Sequence, residues 1–291
     1  QVVDHLLVGF KYIGEALFCL EQTGRFGSVE GSLDCFAVGL EESHGVLLSS
    51  AIRDKDAAGG ALVLAELAAH EAADGRTLID VLNDLMIRHG AVHNALSSLA
   101  MNGATGRAQM DAAMASLRSS PPTMIGERSV VQIEDRQDES GTFGEIRSDT
   151  DRTSRNVLVF TLEGGARLTI RPSGTEPRCK IYVETTAQVG GDLPLIQRRL
   201  NIESKAIAHA FIHLVLGRID LELPDWALEI SDLMSIEERV RWCRDLIPML
   251  TSILETEPEA ADGWLSQNMG ADQRNQLRPG IEALARSNPT L

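Results

Sequence analysis

The segment Arg171-Pro172-Ser173-Gly174-Thr175-Glu176-Pro177 concentrates groups suited to an anion. Arg171 offers a planar fork that can grip two phosphate oxygens, Ser173 and Thr175 offer hydroxyl donors, and Gly174 lets a backbone N–H approach without a Cβ in the way. Taken alone, the same residues also spell an ordinary polar turn. A second cluster, Glu41-Glu42-Ser43-His44-Gly45, sets two carboxylates side by side. Adjacent carboxylates can suggest acid and base work, but neighbours on one short loop rarely hold two carboxyls in an opposed geometry, and unaided the motif reads as a solvated acidic turn. Lys11 stands at a predicted helix start, where a cation opposes the macrodipole unless an anion compensates it. Arg53 and Lys55 alternate with acids as at a solvated helix start, and Asp56 is better read as a cap than as a catalyst. His89 with His93, and His209 with His213, are each four residues apart, but no third ligand is placed near either pair, so no metal centre is expected in this chain.

These groups need elements to hold them. Leu6 to Val8 read as a strand end and Gly9 as a turn into a helix with Tyr12, Ile13, Ala16, Leu17 and Leu20 at helical spacing. Cys35 to Val38 read as a second strand running into the acidic loop. Asp56 and Thr77 are plausible caps for two helices that stop at Asp74-Gly75 and Gly90, which gives α/β order. After a helix around Gln109 to Leu117, Pro121-Pro122 breaks the pattern, because proline fixes φ and lacks the amide donor. A domain boundary is placed there.

Beyond it the pattern turns β: Val130–Glu134, Asn156–Glu163, Arg167–Arg171 and Cys179–Thr185. Gly164-Gly165 predicts a tight hairpin with positive φ at both positions. A small antiparallel sheet is expected, closed by a helix from Leu195 to Leu216 with Ile196, Leu200, Ile207, Phe211 and Leu214 on one stripe. Leu221 to Leu291 read helical and acidic.

The 291 residues suffice for two cores. The net charge of −15 would repel nucleic acid and anionic lipid, and no basic cluster offsets it. Residues 219–291 hold 14 acids against 6 arginines, a net of −8. Three tryptophans there, Trp226, Trp242 and Trp264, argue against simple disorder. No apolar run approaches the roughly 20 residues of a membrane span. The four cysteines are scattered and form no C-x-x-C pair, so a reducing cytoplasm is expected rather than a disulfide framework.

The run SRNVLVFTLEGGARLTIRPSGTEPRCKIYVE closely resembles the fourth-domain signature of the α-D-phosphohexomutases, the phosphoglucomutase and phosphomannomutase family. Upstream, VGFKYIGE at Val8 to Glu15, VGLEESHG at Val38 to Gly45 and IRDKD at Ile52 to Asp56 resemble three blocks of that family's third domain, in order. The resemblance implies an α/β third domain over residues 1–120, an α+β fourth domain of TATA-binding-protein-like architecture over 121–217, and a helical acidic extension of unknown role over 218–291. It implies that Arg171, Ser173, Gly174 and Thr175 bind the substrate's phosphate and that Glu41 and Ser43 bind sugar hydroxyls. Lys11 would lie near the transferring phosphoryl group, and Arg53 and Lys55 near the bound sugar phosphate. His44 falls where family members vary and is expected to face water.

In the resembled family a phosphoserine in the first domain donates the phosphoryl group and an aspartate loop in the second holds magnesium; neither motif occurs here. Gln1 rather than Met opens the chain, so it is expected to begin mid-protein or after processing. The expected function is the sugar- and phosphate-recognising half of a phosphohexomutase that interconverts hexose 1-phosphate and hexose 6-phosphate through a bisphosphosugar. Its partners would be the hexose phosphate and a missing N-terminal half, with magnesium bound by the missing part, and the fragment alone would not turn over. The alternative is a phosphosugar-binding module that has lost catalysis.

Overall fold

In the computed structural model, which describes residues 1–3, 6–41, 45–173 and 176–287, the chain divides into two units, Gln1–His89 and Gly90–Leu291. The first unit is built on α1 (Phe10–Thr23), which turns Phe10, Ile13 and Leu17 onto Leu47, with Leu6, Leu33 and Phe36 packed around them. Gly9, at φ 123°, opens the helix from a conformation that a side chain would strain. Two short hairpins follow, β1 (Arg25–Phe26) with β2 (Val29–Glu30) and β3 (Gly39–Glu41) with β4 (Gly45–Leu47). Then come α2 (Ala57–Ala73) and α3 (Leu78–His89). Asp56 caps α2 by accepting from the Gly59 N–H at 2.9 Å, and Thr77 and Asp80 exchange hydrogen bonds at the start of α3.

Two expected strands do not form. Leu6–Val8 is irregular, and the residues before Val38 make a short 3-10 turn, Leu33–Cys35. A strand exists only by pairing, and neither segment finds a neighbour among the described residues.

The second unit is a six-stranded antiparallel sheet in the order β5-β10-β9-β8-β7-β6. Its elements are β5 (Ala91–Ala100), α4 (Gly103–Ser119), β6 (Met124–Ile125), β7 (Arg128–Asp135), α5 (Asp149–Ser154), β8 (Leu158–Leu162), β9 (Arg167–Pro172), β10 (Arg178–Ala187) and α6 (Leu193–Gly217). Gly164 and Gly165 turn β8 into β9 with φ of 84° and 85°, as the sequence predicts. The compact units divide between His89 and Gly90, well before Pro121-Pro122, where the boundary was expected. The cause is β5, which pairs with β10 without a break from Ala91↔Ala187 to Ala100↔Arg178. The two prolines occupy the short link between α4 and β6 inside one sheet-and-helix unit.

The acidic extension forms α7 (Asp225–Leu228), α8 (Ile236–Arg241), α9 (Ile247–Thr256), α10 (Ala261–Asn268) and α11 (Ala271–Ser287). It is part of the same core: Leu223, Ile230, Met234, Ile236, Trp242 and Leu277 are buried in one cluster with Leu99, Ile181, Phe160 and Phe211. Gly280 lets α11 approach α7 closely, since a Cβ there would meet Ile230 Cγ1 at 2.5 Å and the Trp226 carbonyl at 2.9 Å.

Candidate functional site

In the first unit, α1 packs against the β3–β4 hairpin so tightly that the Phe10 ring lies over the Gly45 backbone, where a Cβ would sit 2.2 Å from the ring. The Asp56 N–H donates to the Val46 carbonyl at 2.7 Å and so ties the charged segment 53–56 to β4. These contacts bring Lys55 beside Glu41: Lys55 Nζ lies 3.1 Å from Glu41 Oε2 and 5.6 Å from the Phe10 ring centre. The Glu41 side chain is only 11% exposed. Although ion-paired, Oε2 accepts no hydrogen bond, because the lysine approaches at an angle that does not make one. Arg53 turns away from this pair to Glu21 on α1, at 3.0 Å. Lys11 is exposed on the first turn of α1, with Nζ 4.9 Å from the Tyr12 ring centre. Ser43 and His44 lie outside the described residues.

In the second unit, Arg171 is the penultimate residue of β9, half-buried, and its Nε is buried without a hydrogen-bond partner. The loop it opens is closed at its base by backbone bonds. The Ser173 N–H donates to the Arg178 carbonyl at 2.7 Å, and the Arg178 N–H to the Glu176 carbonyl at 2.8 Å. Ser173 Oγ accepts from the Glu176 N–H at 3.2 Å. The Met101 N–H, just past β5, donates to the Pro177 carbonyl at 2.8 Å. Gly174 and Thr175 lie outside the described residues. Beside the loop is a cleft of about 320 Å³ walled by Arg107, Met110, Arg152, Asn156, Ser173 and Arg178.

Sequence models of two domains match this chain: the alpha/beta/alpha domain III of phosphoglucomutase/phosphomannomutase over residues 2–89, and the C-terminal domain of the same proteins over residues 124–190. Together the matches span more than half of the chain. The chain belongs to the phosphoglucomutase/phosphomannomutase family. Among curated members of this family, it is 33% identical over 182 residues to a probable phosphomannomutase of Haemophilus influenzae, covering 62% of this chain and 31% of that protein. It is 34% identical over 182 residues to a phosphoglucomutase of Staphylococcus epidermidis, covering 61% and 31%. The chain therefore spans about a third of the length of the curated relatives it matches. A solved structure of pp63/parafusin, a phosphoglucomutase from Paramecium in an open form, overlays with a TM-score of 0.39 at 17% identity, covering 63% of this chain and 31% of that one; the family assignment does not rest on it.

Seen as a phosphohexomutase, the chain keeps its mixed α/β third domain and a curled antiparallel sheet in the C-terminal domain, as the sequence predicts. Residues 191–291 lie beyond the domain matches. Among the described residues no group of three or more His, Cys, Asp or Glu is placed to hold a metal. His209 and His213 instead face acids from the extension: His213 Nε2 is 2.6 Å from Asp225 Oδ1, and His209 Nε2 is 3.5 Å from Glu229 Oε1. No helix among the described residues is long and apolar enough to cross a membrane.

Sequence reasoning missed the residues that brace the loop from behind. Arg178 Nη1 donates to the Asp232 carbonyl at 3.0 Å and lies 3.4 Å from Ser98 Oγ, while the Ser98 N–H donates to Asp232 Oδ2 at 3.0 Å. An arginine directly after Pro177 was a visible signal. Asp232 carried none, because it stands among many acids of the tail.

Proposed function

We propose that this chain is the sugar- and phosphate-recognising part of a phosphohexomutase, which as a complete protein interconverts hexose 1-phosphate and hexose 6-phosphate through a bisphosphosugar. The first unit reads sugar hydroxyls through Glu41, with Ser43 expected beside it. Lys55 holds the Glu41 carboxylate, and Lys11 and Arg53 add positive charge to that unit. The second unit reads phosphate through Arg171, Ser173, Gly174 and Thr175.

One observation carries this. Three described side-chain atoms are buried without a hydrogen-bond partner, and two of them are Glu41 Oε2 and Arg171 Nε. Buried polar atoms are normally satisfied, and leaving one unpaired costs roughly 1–3 kcal/mol. In the first unit the carboxylate is of the chemistry that accepts from a sugar hydroxyl, and in the second the guanidinium is of the chemistry that binds an oxyanion. Glu41 Oε2 keeps Lys55 Nζ at 3.1 Å and the third atom, Arg136 Nε, keeps Glu134 at 3.4 Å, so Arg171 Nε is the one of the three with no ion pair seen among the described residues.

Calorimetric titration of the chain with glucose 1-phosphate tests the assignment. A bidentate guanidinium outweighs single hydroxyl contacts, at roughly 1.5–3 kcal/mol per charged bond, and lysine keeps the charge but loses the fork. Arg171→Lys is therefore expected to weaken binding by more than Ser173→Ala does. Parent-like binding by Arg171→Lys, with Glu41→Gln alone abolishing it, would reject the phosphate assignment.

A further inference from the structure

The family matches end at residue 190, yet the extension reaches back to the base of the anion loop. We infer that the C-terminal extension is the positioning device for that loop, with Asp232 as its contact point and Arg178 and Ser98 as the groups it fixes. The inference rests on the phosphate reading of Arg171 and Ser173, and it adds a residue on which that site depends.

The geometry starts with Arg239, whose side chain is 1% exposed. Its guanidinium and Nε donate to three carbonyls, Met234 at 3.3 Å, Ala227 at 3.3 Å and Ser231 at 3.0 Å, and to Asp232 Oδ1 at 3.4 Å. One buried fork thus fixes the segment between α7 and α8. A capping box between Ser235 and Glu238 fixes where α8 begins. The segment so held presents Asp232 outward, towards the edge strand β5 and the first residue of β10.

Asp232 uses both of its polar ends there. Its Oδ2 takes the Ser98 N–H on β5, and its backbone carbonyl takes Arg178 Nη1. Arg178 is also the residue whose backbone closes the loop on both sides, accepting from Ser173 and donating to Glu176. The far strand is bound in as well, because the Met101 N–H at the end of β5 holds the Pro177 carbonyl. The loop between β9 and β10 therefore stands on a base where one aspartate of the extension touches both β5, through Ser98, and β10, through Arg178. Arg178 Nε already lies 3.6 Å from Glu176 of the loop itself, so a guanidinium that the extension does not hold is left to that acid. A guanidinium turned towards Glu176 would pull the loop out of the shape that presents Arg171 and Ser173 together.

The experiment uses the whole chain with inorganic phosphate as the probe. It reads phosphate affinity by calorimetry, amide hydrogen exchange at Ser173 and Arg178, and the melting temperature. Asp232→Ala and Arg178→Met are each expected to weaken phosphate binding about tenfold, the worth of one charge-assisted hydrogen bond, and to speed exchange at both amides. The double variant should be worse than either single one, since Asp232→Ala removes the bond to the Ser98 N–H and Arg178→Met removes the separate bond to the Asp232 carbonyl. Asp232→Asn should stay within about twofold of the parent, because its amide oxygen still accepts from Ser98 and its backbone carbonyl is unchanged. A folded Asp232→Ala that binds phosphate and exchanges like the parent overturns the inference. Should Asp232→Ala fail to melt cooperatively, Arg178→Met cuts the other contact of the extension, to the Asp232 carbonyl, from a part-exposed side chain, and parent-like binding there overturns the inference equally. Arg171→Ala separates the two levels. If it loses phosphate while both link variants keep it, only the role of the extension falls; if the parent takes up no phosphate, or Arg171→Ala keeps it, the phosphate reading and this inference fall together.

Discussion

Glu41 and Arg171 show how a residue can be costly to the fold that contains it. Each buries a polar atom with no hydrogen-bond partner, a state that mutation would relieve if stability alone mattered. The cysteines behave in the opposite way. Burial pushes the Cys179 thiol up to about 12 and the Cys243 thiol up to about 11, so neither supplies appreciable thiolate at neutral pH. Cys35 is exposed. Mass-spectrometric mapping after brief treatment with iodoacetamide at neutral pH is expected to find Cys35 modified first and Cys179 last. Early labelling of Cys179 would mean that the strand carrying it opens more readily than its place in the core allows.

Elements differed in how far the sequence announced them. The hairpin of β8 and β9 was legible because apolar alternation brackets two glycines that accept positive φ, and α6 was legible because its apolar stripe runs through most of its turns. The strand β5 was not. Its residues AVHNALSSLA are poor in β-branched and aromatic side chains, and its partner lies far along the chain, so nothing local marks it. The strands expected at Leu6–Val8 and Cys35–Val38 err the other way, since local propensity without a partner makes no strand. In the site, Asp56 was legible as a cap from type and position, whereas the approach of Lys55 to Glu41 depends on the Asp56–Val46 backbone bond, which no spacing reveals.

At the α6–α7 contact, burial pushes His209 below its ordinary value. Glu229 and Asp225 oppose that shift, and Lys205 and His213 add to it. Such a histidine takes up a proton more readily unfolded than folded, so its contribution to stability is lost as pH falls through the unfolded value of ~6.5. The melting temperature is expected to drop between about pH 7 and about pH 5, and to drop less in His209→Gln. Equal slopes in parent and variant would show that His209 is solvated in the fold.

Across the whole molecule, apolar surface is unevenly distributed. Leu62, Val63 and Leu64 of α2 and Ile79, Leu82, Leu85 and Ile87 of α3 are each at least 45% exposed, while the second unit, which exposes Leu96, Val131, Leu195, Ile202 and Leu233 singly, also holds a large continuous core. Exposed apolar side chains on two neighbouring helices are expected to bind the dye ANS strongly at neutral pH. Leu64→Glu with Leu82→Glu should reduce that fluorescence without lowering the melting temperature. A large loss of stability would instead place these leucines in a core.

The pairing of β5 with β10 also sets an order of events during synthesis. Emerging from a ribosome, β5 has its whole partner strand still to come, for Ala91 must wait for Ala187 and Ser98 must wait further, for Asp232. Through that interval its amide groups stay open to any other nascent chain, and the Ser98 N–H stays open until Asp232 of the acidic tail is made. A chain cut short between residues 187 and 232 would therefore have every strand of its sheet and still lack the acid that takes up the Ser98 amide.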